Sequence, residues 1–436
     1  MQLTATAAAT FSLYNSGRAL MLTKSTRRML VLYFVAMIAL HSDVLWQSRQ
    51  SIPLGLPDFS GSYTAGRILR DGHGHRLYDD DLQESIQRSF SPLAVQKRGT
   101  ILPYIHLPYE ALFYAPLARF SYLTAYGIWL AANLILLGAI PFLLRRRLRV
   151  LGKEPLYLWW LAAFGFFPIF ISLIQGQDSI LLLFLYCVAW RAMERGSNFT
   201  SGNWLALGLY KYHLVLPFVL AMWRRKKWLG GFVSVAAVLG VISVFITGWP
   251  ALMRYPHYLW RTEHDLRYGF NTLPGLIANL RGLISGVVPA SRPEIEIGVT
   301  VLASVIVLSL MLHAASKTSA ADFARRQGLF ALSVAGSVLL SYHMYVHDMS
   351  VLFLAMVLVL EMLLSNSFLP ERIRTTLYAC IAILSCSPLY LVLTLRYGQL
   401  RLMAIVLLIF FFGLLRLIDS SSQDDGTESP QAQTAT

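Results

Sequence analysis

Long apolar segments, each close to the length needed to cross a bilayer, constrain the fold of this chain more than any other feature. A transmembrane helix needs about 20 mostly apolar residues. Only 14% of the 436 residues are charged, whereas a soluble domain carries about a quarter. We therefore predict an all-α polytopic membrane protein with about ten transmembrane helices. These are Met29–Trp46, Tyr122–Leu144, Leu156–Leu173, Ile180–Met193, Phe232–Ile246, Ile295–Leu312, Gly328–Met344, Val351–Leu364, Leu377–Leu395 and Leu402–Ile418.

The formal net charge of +14 is concentrated in short basic clusters between these segments. Such clusters face the cytoplasm and meet anionic headgroups, so they indicate a bilayer partner and not nucleic acid. The predicted location is the plasma membrane, with both chain termini in the cytoplasm. The clusters are Lys24–Arg28, Arg145–Lys153, Arg191–Arg195, Arg224–Lys227, Lys317–Arg326 and Arg372–Arg374.

The basic clusters conflict with one segment. The clusters at Arg191 and Arg224 both favour the cytoplasm, yet Trp204–Trp223 has the length of one crossing. One solution is a broken, re-entrant pair of short half-helices that meet near Lys211, since irregular backbone at membrane depth is tolerated where it lines a cavity. The alternative is one ordinary helix with a snorkelling lysine.

The resulting plan has three parts. Residues 1–28 form a cytoplasmic N-terminal segment, residues 29–418 form the membrane domain, and residues 419–436 form a polar tail that we expect to be disordered. Outer loops are predicted at residues 47–107 and 247–294. Most of the polar chemistry lies on this outer side.

Asp58 follows the first span and begins the outer loop. An ionised Asp at the membrane face can take a proton from a hydroxyl nucleophile, which is the work of a general base. The alternative is an N-cap for a helix that starts near Ser60. In the turn Gln175–Asp178, Asp178 is interpreted as a helix cap, and the side chains of Gln175 and Gln177 can bond sugar hydroxyls.

Other polar side chains border apolar segments. A buried Lys211 ammonium needs an anion, and a lipid phosphate would serve, with His213 at the same pocket if the helix breaks there. His343 and His347 would share one face of a helix, as part of a site or of an interfacial cluster. Neither a third ligand nor an intervening Glu accompanies them, so we predict no metal.

The order of several weak motifs resembles glycosyltransferase family 87, whose members are multi-spanning GT-C-type enzymes that use a polyprenyl-phosphate sugar. The chain departs from the family's usual residues at His106-Leu107-Pro108 and at Lys211-Tyr212-His213. The matching segments are Asp58-Phe59, Tyr63, Ala65-Gly66, Gly72, Leu77-Tyr78-Asp79, Pro108-Tyr109, Ala115-Pro116-Leu117, Gly176-Gln177, Leu205–Gly208, Lys211, Arg224–Trp228, Asn271, Pro274-Gly275 and Ser341–Asp348.

The resemblance implies transfer of a hexose, by default mannose, from a polyprenyl-phosphate donor to a glycolipid or glycan acceptor at the outer face. Transfer would invert the anomeric configuration without a metal or other cofactor. Asp58 would be the general base, His343 or His347 would meet the leaving phosphate, and Lys211 with His213 would bind the donor phosphate or lipid. The residues expected to contact sugar or acceptor are Tyr63, Tyr104, His106, Gln175, Gln177 and Asn271.

Two other functions fit a polytopic chain. One is a lipid-linked saccharide transporter or flippase, although transporters usually show matched broken helices in paired repeats, and one candidate without a repeat is found here. The other is an O-antigen-type polymerase, which would use a diphosphate-linked donor. The mass of the product separates a polymerase from a transferase that adds single sugars.

Overall fold

The computed structural model describes residues 22–264, 273–318, 323–366 and 369–420. Within these ranges the chain is mostly helical and has no β-strand, which confirms the predicted all-α class. The helices of the first half are α1 (Lys24–Ser48), α2 (Phe59–Arg70), α3 (Asp80–Phe90), α4 (Pro92–Arg98), α5 (Ala111–Tyr114), α6 (Tyr122–Leu144), α7 (Leu156–Phe164), α8 (Phe167–Gln175), α9 (Ser179–Glu194), α10 (Asn198–Ala206) and α11 (Tyr212–Met222).

The remaining helices complete the bundle and its second outer connection. They are α12 (Lys226–Thr247), α13 (Trp249–His264), α14 (Leu280–Ile284), α15 (Pro293–Lys317), α16 (Phe323–Leu340), α17 (Leu352–Ser365), α18 (Glu371–Leu384), α19 (Ser387–Leu391) and α20 (Met403–Ser420). Two 3₁₀-helices matter for the site: Leu207–Lys211 leads into α11, and Val346–Val351 leads into α17.

Seven helices in the described ranges are long and apolar enough to cross a membrane, or up to nine if each of two bent pairs counts as one span. The bent pairs are α7 with α8, at 67°, and α18 with Ser387–Arg396, at 59°. The predicted number was about ten. The predicted spans Ile180–Met193 and Gly328–Met344 are not among these helices. The first lies in α9, which has only 16 residues, and the second lies mostly in α16, whose hydropathy is lowered by Arg325 and Arg326 near its start. The chain is an all-α polytopic membrane protein.

The segment Asn198–Met222 turns back on itself, although its length and hydropathy would also fit one crossing. In one straight helix Phe199 would lie about 34 Å from Met222. The carbonyl oxygen of Phe199 instead lies against Gly231. The chain from Met222 to Gly231 can span at most about 22 Å, so Phe199 lies closer to Met222 than a straight helix allows. The backbone breaks at Lys211, with φ −104° and ψ 58°. The predicted pair of half-helices is confirmed, and Lys211 lies at its tip.

Basic residues from separate segments gather at one end of the bundle, which we call the basic face. Arg27 forms a 2.8 Å salt bridge with Glu154. The charges of Arg326, Arg147 and Arg225, from three further segments, act on Glu194. The hairpin tip lies at the opposite end, which we call the cavity face, because Tyr210 there donates a hydrogen bond to the carbonyl of Asp178 at the other end of α9.

The predicted outer loop 47–107 is folded into short helices on the cavity face. Helix α13 lies over them: Arg261 forms a 2.8 Å salt bridge with Asp80, and the hydroxyl of Tyr255 donates to the carbonyl of Ile105 at 2.7 Å. Helix α2 buries Phe59 and most of its length. The start of α2, where Asp58 lies, is thereby fixed against the membrane bundle.

Candidate active site

A cavity of about 120 Å³ opens on the cavity face. It is bounded by the start of α2, the segment 102–106, the tip of the hairpin and the segment 342–348. Eight of the residues predicted from the sequence line it, although they come from five separate segments. They are Asp58, Tyr104, His106, Gln177, Lys211, His213, His343 and His347.

Asp58 directs its carboxylate into this cavity. It stands at the N-cap position of α2, but its side chain makes no capping hydrogen bond, so the N-cap interpretation is wrong. The carboxylate instead accepts a 2.8 Å hydrogen bond from Nε2 of Gln177, and Nδ1 of His347 lies 4.0 Å away. One third of the Asp58 side chain is exposed, so a hydroxyl in the cavity can still reach it.

The turn between α8 and α9 holds Asp58 from behind. Gly176 adopts φ +60° at the end of α8, a left-handed conformation that favours glycine. This turn brings Gln175 and Gln177 to the same residue, because Oε1 of Gln175 accepts the backbone N–H of Asp58 at 3.1 Å. The indole N–H of Trp129 donates to the carbonyl of Gly176 at 2.9 Å and fixes the turn to α6.

Lys211 does not face the cavity as a single unpaired charge. Its ammonium lies 2.8 Å from Asp178 and 2.8 Å from Asp348, and its side chain is only 3% exposed. Both carboxylates are buried. The predicted need of this ammonium for an anion is correct, but two carboxylates meet it, so the prediction that Lys211 binds the donor phosphate is corrected.

Asp178 is likewise not the helix cap predicted for it, since its side chain makes no capping hydrogen bond. Besides Lys211, it lies 3.3 Å from Nδ1 of His106. That same nitrogen lies 2.6 Å from Glu110, whose side chain is fully buried. The hydroxyls of Tyr104 and Tyr114 each donate to Glu110 at 3.2 Å. A closed network of charges therefore forms one wall of the site.

Burial and charge act in opposite directions on this wall. Burial disfavours the charged form of His106, but Glu110 and Asp178 outweigh it and raise the pKa of His106 to about 10. Burial raises the pKa of Glu110 to about 7 against the attraction of His106. Burial alone would raise the pKa of Asp178, yet Lys211 and His106 hold it well below its usual range. His106 is thus a cation at neutral pH.

The donor atoms of His106, Glu110 and Asp178 lie within 4.8 Å of one another, which is close enough to consider a metal ion. Two ligands on one ion, each about 2.1 Å from it at a tetrahedral angle, would be more than about 3 Å apart. The 2.6 Å separation of His106 and Glu110 is shorter than that and is instead the distance of a direct ion pair. The ammonium of Lys211 next to Asp178 further opposes a second cation.

Three imidazoles line the remaining wall. Nε2 of His347 lies 3.5 Å from Asp348, so this ring stands between Asp348 and Asp58. The rings of His343 and His213 are 6.2 Å apart, and Nδ1 of His213 lies 2.7 Å from the hydroxyl of Ser341. Residues 341–345 are not helical, and a 3₁₀-helix begins only at Val346. The segment is not one helix, so the shared face that His343 and His347 would have in a helix does not form.

Two of the predicted contact residues that the structure describes, Tyr63 and Gln175, do not line the cavity. Tyr63 is buried in an aromatic cluster with Phe59, where its hydroxyl donates to the carbonyl of Phe120 at 2.7 Å. Gln175 lies behind Asp58 and bonds its backbone. Asn271 lies outside the described residues. Tyr63 and Gln175 thus pack around the start of α2 and do not reach the cavity.

Sequence reasoning missed two members of the charge network. Glu110 was passed over within an aromatic, proline-rich segment, and Asp348 appeared only as the end of a matching motif. A carboxylate among apolar residues close to a span is costly unless it is paired. That cost was the available signal for Glu110 and for the role of Asp178.

Comparison with known protein families gives a match. The family model of glycosyltransferase family 87 matches residues 104–342, which extends over more than half of the chain and includes the charge network except Asp348. No curated protein matches the chain, and no solved structure matches it.

Proposed function

Because this chain belongs to glycosyltransferase family 87, we propose that it transfers a hexose, by default mannose, from a polyprenyl-phosphate donor to a hydroxyl of a glycolipid or glycan acceptor. The observation that carries the proposal is the position of Asp58. Its partly exposed carboxylate borders a cavity that is also lined by the ion pair of Lys211 and Asp348, by imidazoles and by several tyrosines.

In the proposed reaction the acceptor hydroxyl oxygen attacks the anomeric carbon of the donor sugar, and its proton passes to Asp58. The bond from that carbon to the phosphate oxygen breaks, and its electron pair leaves with the polyprenyl phosphate. Attack from the face opposite the phosphate inverts the anomeric configuration. A general base needs hydrogen-bond reach of the proton that it removes, and the exposed third of Asp58 supplies it.

The leaving phosphate must then lie across the sugar from Asp58. His347 is only 4.0 Å from Asp58, so we propose that it acts beside Asp58 and does not contact the leaving phosphate. The ring of Tyr345 lies next, 6.1 Å from His347 and 4.9 Å from His343. His343 is thus placed farther along the cavity wall, where an imidazole can donate a hydrogen bond to the departing phosphate, and His213 lies beside it.

We propose that the transfer needs no metal or other cofactor. The leaving group, polyprenyl phosphate, carries only one phosphate, and the buried carboxylates are already paired with Lys211 and His106. We also propose that the cavity opens at the outer face of the membrane. The basic face lies at the other end of the bundle, and arginines favour the cytoplasmic side. The lipid-linked donor would reach the cavity from the bilayer.

The test is a transfer assay with the full chain purified in detergent and a synthetic short-chain polyprenyl-phosphate mannose. Loss of donor is read by mass spectrometry for the wild type, Asp58→Asn and a control, Asp43→Asn, which changes an exposed carboxylate on α1. We expect turnover in the wild type and the control and a loss of at least about 100-fold in Asp58→Asn, the usual scale of general-base catalysis.

Other results would contradict the proposal in different ways. Full activity of Asp58→Asn would reject Asp58 as the base. Products that grow by whole repeat units would indicate a polymerase. Flux of an intact lipid-linked sugar across proteoliposomes, without transfer, would indicate a transporter.

A further inference from the structure

Gln177 uses both ends of its side-chain amide. Its Nε2 donates to a carboxylate oxygen of Asp58 at 2.8 Å, and its Oε1 accepts from the ammonium of Lys211 at 3.3 Å. The side chain therefore links the exposed carboxylate in the cavity to the buried charge network behind it. An amide occupied in this way is poorly suited to bind a sugar hydroxyl, which was the role predicted for it.

The charges at the two ends determine which way the amide points. If the amide were turned over, its oxygen would face the carboxylate of Asp58 and its NH₂ group would face the ammonium of Lys211. Both contacts would place like partial charges together, since a carboxylate only accepts and an ammonium only donates. Lys211 thus keeps the NH₂ group directed at Asp58.

Lys211 is itself held in place. Asp178 and Asp348 each lie 2.8 Å from its ammonium, and the residue is 3% exposed. The turn that carries Gln177 is equally restricted, because a Cβ added at Gly176 would come within 2.8 Å of Phe59, the neighbour of Asp58. The donor to Asp58 is therefore pre-organised on both sides.

We propose that Gln177 is a positioning residue that orients Asp58 and stabilises its ionised form, and that Lys211 acts on the reaction through Gln177. This inference rests on the proposed function of Asp58 as the base. A hydrogen bond to the ionised form of an acid makes protonation of that acid harder. Without the Gln177 donor, the ionised carboxylate of Asp58 would lose this stabilising hydrogen bond and its fixed direction.

Other groups also face Asp58 and must stay unchanged in a test. His347 lies 4.0 Å away. The charge of Asp58 acts on Arg98 and on Tyr122, which lie on neighbouring elements. The side-chain hydrogen bonds of Gln177 go to Asp58 and Lys211 and not to these three residues. A change confined to Gln177 therefore leaves them in place.

The experiment compares Gln177→Leu with the wild type and with Gln96→Leu, which alters an exposed glutamine on α4. Transfer rates are measured against pH with polyprenyl-phosphate mannose. For Gln177→Leu we expect kcat to fall by roughly 10- to 100-fold, the loss typical of a hydrogen bond to a charged group. The acidic limb of the rate profile should also move to higher pH, whereas KM should change little.

A second measurement does not depend on the donor. A water-soluble carbodiimide modifies protonated carboxyl groups, and peptide mass spectrometry reports the modification of Asp58 at each pH. The labelling midpoint of Asp58 should move to higher pH in Gln177→Leu and stay unchanged in Gln96→Leu. The labelling uses the full chain in detergent, as the rate assay does.

The outcomes separate this inference from the proposed function. Unchanged labelling and an unchanged rate profile in Gln177→Leu, with Asp58→Asn inactive, would overturn the positioning role and leave the function standing. A shifted labelling midpoint with no turnover in the wild type would support the effect of Gln177 on Asp58 and reject the proposed reaction.

Discussion

The buried charge network predicts a large cost for the variant Lys211→Met, which keeps an apolar side chain of similar length and removes only the ammonium. Asp178 and Asp348 then lose a counter-charge at 2.8 Å. Removal of one partner from a buried ion pair costs about 3–5 kcal/mol. The carboxylates could instead bind protons. From a reference pKa near 3.9, one protonation at pH 7 costs about 4 kcal/mol, which sets a similar scale.

The free energy of unfolding would be measured for the purified protein in mixed dodecylmaltoside and SDS micelles. Lys153→Met serves as the matched control, because Lys153 is exposed on the basic face. At pH 7 we expect Lys211→Met to lose about 3–5 kcal/mol and the control to lose about 0.5 kcal/mol or less.

The pH dependence adds a second check. Near pH 5 a proton reaches either carboxylate at a cost of only about 1.5 kcal/mol, so the deficit of Lys211→Met should shrink. Further substitution of Asp178 and Asp348 by Asn should recover part of the loss, because the uncompensated charges are gone. A Lys211→Met variant as stable as Lys153→Met at pH 7 would refute the reasoning.

Two further predictions concern stability. The pKa of His106 is raised from 6.5 to about 10, so the stability that the charged His106 contributes is fully present below pH 6.5 and is lost as pH rises towards 10. In thermal unfolding, His106→Asn should flatten this decline of stability with pH. An unchanged decline in His106→Asn would contradict this role of His106. A Cβ at Gly202 would overlap with the carbonyl of Trp228, so Gly202→Ala should lose about 1–3 kcal/mol, whereas Gly240→Ala, with no atom within 4 Å, should be neutral or gain up to about 1 kcal/mol.

The hairpin around Lys211 was accessible from the sequence because its signal is global. Two arginine clusters on either side of one apolar segment cannot both face the cytoplasm if that segment crosses the membrane. The bends in α7–α8 and α18–α19 were not predicted, since each pair forms one continuous apolar run with the length of a single span. Hydropathy measures the length of such a run but not its direction.

The site was predicted only as a set of residues. Asp58 was identified, but a residue just before a helix is a cap by local rules, and only the distant Gln177 shows why its side chain turns away. The same holds for Asp178, whose counter-ion lies 33 positions later at Lys211. Pairings between remote segments depend on the fold, so the sequence indicated most of the residues that line the cavity but assigned several of them to the wrong partner.

Helix α17 and the 3₁₀-helix before it are held at both ends of the bundle, the cavity face and the basic face. At one end Asp348 bonds Lys211, and about 20 Å farther along the carboxylate of Glu361 accepts the backbone N–H groups of Val150 and Leu151, each at 2.9 Å. A rod anchored at both ends cannot slide or tilt freely. Adaptation to a thicker or thinner bilayer must therefore come from the peripheral helices, such as α1 and α15, while the length of the central rod stays constant.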